Sequence, residues 1–136
     1  MTVMPINGSP ATTHALALRV RAHLRRIAVQ AVPITYKALA EALDLAPPNT
    51  IRQITEALEH LMREDAGNGH PFIAALVISR ARGGLPAVGF FDAAQRLGRF
   101  DDTPSSPEAS AFHGAELEAA VVFWSTTEVT ETDEVA

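Results

Sequence analysis

The sequence predicts an α+β protein, mostly α, and three observations carry that expectation. Four stretches repeat apolar residues every three or four positions, the spacing of one helical face. Two short apolar runs, FIAALVI (72–78) and LPAVGFF (85–91), lie among Gly and Pro and suit strands better than helices. The chain has 136 residues, one domain's worth, of which 47% are hydrophobic, enough for a single core. Aromatics make up only 6%, so aliphatic side chains must fill most of that core.

Residues 1–11 carry Pro5, Gly8, Ser9 and Pro10 and are expected to form a flexible leader. A first helix is expected from Thr12 or Thr13, either of which can cap it. Leu16, Val20, Leu24 and Ile27 share its inner face, flanked by Arg19 and Arg26, with Arg21 and Arg25 further round. Those arginines suit either snorkelling over the core or contact with a phosphate backbone. Pro33 interrupts the chain, and Thr35 can cap a second helix over about 35–44. Pro47 and Pro48 cannot continue it. Asn49 or Thr50 can cap a third helix over about 50–64, with Ile51, Ile54, Leu58, Leu61 and Met62 as its apolar stripe. The two apolar runs, joined by SRARGG, predict a β-hairpin with Arg80 and Arg82 near its tip and Pro86 placing the second strand at an edge. A short helix over 92–99 and a linker, DDTPSSP, follow. The last helix is expected from Ser105 or Ser106, since Ser105 and Glu108 have capping-box spacing. Residues 12–125 thus form the folded unit, and 126–136 an acidic disordered tail.

Helix, helix–turn–helix, hairpin, helix is the order of a winged helix-turn-helix with flanking helices. In such a unit the second helix of the pair enters the major groove. Charge is compatible with this, though the net value is −5. Residues 1–99 hold 11 Lys and Arg against 7 Asp and Glu, or +4; residues 100–136 hold 9 Asp and Glu and no Lys or Arg, or −9. A mildly basic body with an acidic end is unlike a tight, non-specific nucleic-acid binder.

Three motifs carry a family resemblance. VPITYKALAEAL, IRQITEAL and HPFIAALVISR, between Val32 and about Phe91, resemble the C-terminal DNA-binding domain of the O6-alkylguanine-DNA alkyltransferases and alkyltransferase-like proteins. The resemblance covers under half the chain. It implies that Tyr36 crowds the phosphate of a flipped nucleotide, that Arg52 fills the gap the base leaves, and that Arg80 closes the nucleophile motif. The departures are as specific. Ile78 stands where the nucleophilic cysteine would be, Ser79 where its histidine would be, and Val77 replaces the preceding proline. Thr55 occupies a small glycine position. Alkyl transfer needs an activated thiolate, and the chain has no cysteine, so the resemblance implies binding without chemistry.

The expected DNA contacts are Tyr36, Lys37, Asn49, Thr50, Arg52 and Gln53, with Arg80 and Arg82 on phosphates. Arg52 early in the third helix is placed to read a guanine edge, worth about 1–3 kcal/mol of discrimination. The plain alternative is that Arg52–Glu56 and Glu59–Arg63 are solvent-face pairs, each worth about 0.2–0.5 kcal/mol. The five histidines show no paired ligand spacing, so no metal, no cofactor and no catalytic residue is expected. The expectation is a non-enzymatic regulator or accessory factor binding double-stranded DNA. The alternatives are a protein-interaction module and a receptor for damaged bases. Phe112, Phe123 and Trp124 can pack on the body or serve a protein partner or homodimer through the last helix. No run approaches the ~18 apolar residues of a membrane span, and the N-terminus lacks signal-peptide features, so a cytoplasmic protein is expected.

Overall fold

A computed structural model of the chain describes the backbone of residues 10–135 and the side chains of residues 12–126. Residues 1–9, the bulk of the expected leader, lie outside the described residues. The first helix, α1 (Pro10–Gln30), already includes Pro10 and Ala11. Leu16, Val20, Leu24 and Ile27 are all buried, as their spacing requires, and Ala17 and Ala28 widen the stripe. Burying each of the larger side chains is worth about 1.5–3 kcal/mol, which outweighs any surface pair on this helix.

After α1 comes a two-residue strand, β1 (Ile34–Thr35), and then α2 (Tyr36–Ala42). Thr35 caps α2 as expected, its Oγ1 accepting from the Ala38 N–H at 3.0 Å. The helix stops before the proline pair. Asp44 turns left-handed (φ 55), and the N–H groups of Asp44 and Leu45 close back onto Glu41 and Ala40, a Schellman closure. The guanidinium of Arg19 donates to the Leu43 carbonyl at 2.6 Å, so this arginine caps a helix end within the fold. Helix α3 (Thr50–Gly67) starts at Asn49, which is left-handed and makes no side-chain cap bond. It buries Ile54, Ala57, Leu58, Leu61 and Met62, and runs three residues beyond the expected end. Ile51, expected inside, is exposed.

The expected hairpin does not form. Residues Ile73–Leu76 make a buried 3-10 turn, and only Val77–Ile78 form a strand, β2. Strand β2 pairs with β1, in parallel, with Ile34 opposite Val77 and Thr35 opposite Ile78. The segment 72–76 is buried on every side, between α1, α3 and α5, so it lacks the free face of a hairpin strand. Carboxylates replace its ladder partners. The Phe72 N–H donates to Glu116 (2.8 Å) and the Ile73 N–H to Asp65 (3.0 Å). The second expected strand is lost for two reasons. Pro86 has no N–H to donate, and Phe90, Phe91, Ala93 and Ala94 bury one face at helical spacing. They belong to α4 (Val88–Arg96), which begins four residues before the expected short helix and ends in a second Schellman closure at Gly98 (φ 81). A 3-10 turn, Arg80–Arg82, lies between β2 and α4.

Helix α5 (Pro107–Val135) is capped by Ser106 rather than Ser105. The Ser106 Oγ accepts from the Ala109 N–H at 3.1 Å, and Pro107 takes the first helical position, which needs no donor. The backbone of α5 continues to Val135, through the stretch expected to be a disordered tail. Its described part buries Ala109, His113, Ala120 and Trp124 against the body. The Trp124 indole N–H donates to the Pro71 carbonyl at 2.9 Å, and the Arg21 guanidinium lies 4.7 Å from its ring centre. The aromatic face offered to a partner is therefore used within the monomer. The coarse expectation of a mostly helical α+β chain holds; the hairpin wing is absent among the described residues. No described helix is long and apolar enough to cross a membrane.

Candidate nucleic-acid interface

The parallel pair β1–β2 brings the start of α2 beside the turn that follows β2. Between them opens a cleft of about 550 Å³, lined by Thr35, Tyr36, Lys37, Ala38, Glu41, Ile78, Ser79 and Arg80. A second cleft of about 490 Å³ is lined by Lys37, Ala40, Glu41, Asp44, Leu45, Thr50 and Ile51. Lys37 and Glu41 line both, so the two adjoin and lead from β2 to the start of α3.

Lys37 and Arg80 are exposed, and neither forms an ion pair or side-chain hydrogen bond among the described residues. They are the cations of this face left to a ligand. Tyr36 is half-buried. Its hydroxyl oxygen accepts the Ala87 N–H at 3.0 Å, and burial raises its pKa, with that hydrogen bond opposing the change. The phenol thus pins the chain ahead of α4 while its ring edges the cleft.

The other expected contacts divide. Thr50 opens α3 on the second cleft. Asn49 is the exposed residue before it. Gln53 is turned back, its amide donating to the Pro48 carbonyl at 3.1 Å and approaching that of Ala46 at 3.4 Å. It braces the α2–α3 connection. Arg52 is 70% exposed and paired with Glu56 at 3.2 Å, the plain solvent-face arrangement. Arg82 is not at a tip. It donates to the carbonyls of Pro86 (3.0 Å) and Pro104 (2.9 Å) and lies 5.8 Å from the Phe91 ring centre. It ties the turn to the segment before α5 instead of standing at the tip of a hairpin. Glu59 pairs with Arg96 of α4 at 3.7 Å.

Two further groups escaped the sequence reading. Asp65 is fully buried and holds the Ile73 N–H while Arg21 lies 3.0 Å from its other oxygen. Burial raises its pKa, opposed by Arg21 and the Ile73 bond. The second group is histidine-based. His14 of α1 meets His60 of α3 at 3.2 Å, and His60 meets Glu64 at 3.1 Å. His60 and Glu64, two of the three side chains, are four apart on one helix, a spacing the sequence shows; His14 is added only by the packing of α1 on α3. The three side chains lie close enough together to be a candidate ligand set, which histidine spacing alone did not show.

No protein-family model, curated protein or solved structure matches the chain.

Proposed function

We propose that the chain is a non-catalytic binding protein for double-stranded DNA, serving as a regulator or accessory factor. In this reading α2 and α3 act as a helix–turn–helix pair, and the turn after β2 takes the place of a wing. The observation that carries it is the pair Lys37 and Arg80, two unpaired cations on one open cleft that continues to the start of α3. Thr50 and Arg52 supply polar reach from α3. Glu41 and Asp44 stand on the same face and oppose a phosphate backbone. The expected affinity is therefore that of a weak, salt-sensitive binder, about 10⁻⁴–10⁻⁶ M at physiological salt. Fluorescence anisotropy with mixed duplexes at two salt concentrations tests this. Binding that weakens with salt is expected; no binding at either salt with protein raised to about 10⁻³ M, above the expected Kd range, overturns it.

The lining of the first cleft favours a more specific version. Tyr36 and Ile78 offer apolar surface and Lys37 and Arg80 offer charge, which suits an extrahelical nucleotide. That version agrees with the alkyltransferase-like resemblance, and equal affinity for alkylated and plain guanine duplexes disposes of it. The exposed Ile51 at the start of α3 favours the other alternative, a protein partner. A partner whose binding is lost in Ile51→Asp and kept in Arg80→Ala would replace the DNA reading.

A further inference from the structure

His60 Nε2 faces two lone-pair donors at once, His14 Nδ1 at 3.2 Å and Glu64 Oε2 at 3.1 Å. One proton on that nitrogen can serve only one of them. A cation placed between the three serves all. We propose that His14, His60 and Glu64 form a binding site for a zinc-like divalent cation that clips α1 to α3.

The spacing supports this directly. A tetrahedral Zn²⁺ with bonds of about 2.0–2.1 Å holds neighbouring ligand atoms about 3.3 Å apart. Two of the three edges are already close to that value, and all three ligand atoms lie within 4.8 Å of one another. His14 is exposed, so a turn of its side chain closes the third edge. Two imidazoles and one carboxylate are a donor set that Zn²⁺ takes in proteins, and the exposed side leaves a coordination position for water. The surroundings hold the carboxylate in place. Glu64 Oε1 accepts from Arg21 at 3.0 Å, which leaves Oε2 for the cation. The same Arg21 nitrogen lies 3.0 Å from Asp65 Oδ1, so a buried carboxylate offsets much of its repulsion on the ion. Arg21 also lies over Trp124, the chain's single tryptophan, so a pull on Glu64 is transmitted to a fluorophore.

The site does not depend on the DNA reading. Its test is isothermal titration of the full chain with Zn²⁺, with tryptophan fluorescence and thermal unfolding followed in parallel. The expected result is one ion per chain, a changed Trp124 emission and a raised Tm. His14→Ala, at an exposed position, and His60→Ala are each expected to weaken binding at least tenfold and abolish the Tm rise. His70→Ala, outside the site, is expected to change neither. Failure to bind Zn²⁺ at one ion per chain overturns the proposal. So does binding that His14→Ala and His60→Ala leave unchanged while both variants stay folded.

Discussion

Arg80 and Arg82 are two residues apart in one glycine-bounded turn, and the fold gives them opposite work. Arg82 is spent on the carbonyls of Pro86 and Pro104; Arg80 reaches the cleft with no partner among the described residues. Replacing Arg82 by Ala removes two charge-assisted hydrogen bonds and is expected to cost about 1.5–3 kcal/mol in denaturant unfolding, with DNA affinity unchanged in the folded protein. Arg80→Ala is expected to stay within about 0.5 kcal/mol of the parent stability and to weaken DNA binding. The sequence does not separate the two, because the acceptor at Pro104 lies 22 residues from Arg82. Buried Asp65 was equally illegible. Only the packed fold shows that its carboxylate replaces a missing ladder partner at Ile73. Thr35, by contrast, acts within three residues of itself, and its capping role was readable from the sequence.

The same contrast holds for whole elements. Helices α1 and α3 were legible because each repeats a broad apolar stripe, which periodicity detects. Helix α5 was legible as a helix, but its apolar residues do not mark its buried face, since Ala115, Ala119 and Val122 are exposed while Ala109, His113, Ala120 and Trp124 are buried. Runs 72–78 and 85–91 misled because a short apolar run does not reveal its period. What decides them is Pro86 and the i, i+3, i+4 set Phe90, Ala93 and Ala94, which binds the second run to a helix. Glycines now take opposite signs. Gly114 lies within α5 with open space around its α-carbon, so Gly114→Ala is expected to add about 0.5–1 kcal/mol of stability. Gly98 is left-handed at the end of α4, and Gly98→Ala is expected to cost about 1–2 kcal/mol. Thermal or denaturant unfolding distinguishes the two.

His113 sets a pH dependence on α5. It is buried beside Phe90, and its ring donates to the Ala75 carbonyl at 2.9 Å. Burial lowers its pKa, opposed by the Ala75 bond and by Glu116. A histidine with a lowered folded pKa binds its proton more readily when unfolded. Its contribution is full above the unfolded pKa of about 6.5 and is lost as pH falls through the folded pKa. His23, whose pKa is lowered by burial and by Arg26, acts with the same sign. The chain is expected to lose stability as pH falls below about 6.5, and His113→Gln, which keeps a donor for Ala75, is expected to lose less of it. Equal slopes in the two proteins would contradict this.

For the whole molecule, charge and topology set the terms of binding. The acidic end, residues 100–136, also carries part of the core, since α5 buries Ala109, Ala120 and Trp124. Removing that whole segment would take away part of the core, so a variant that asks whether the acidic charge weakens binding must cut after Thr126. That the chain is mostly helical with a small sheet was readable from its apolar pattern. That the sheet is a parallel pair linking 34–35 to 77–78 was not, because two-residue strands have no period to read. That pairing is what brings Lys37 and Arg80 to one cleft. The most direct test of the DNA reading is therefore the salt dependence of duplex affinity in Lys37→Ala, Arg80→Ala and the parent chain. Each variant is expected to bind more weakly and to flatten the slope of log affinity against log salt by about one. A parent chain that binds no duplex, or variants that keep both its affinity and its slope, would contradict it.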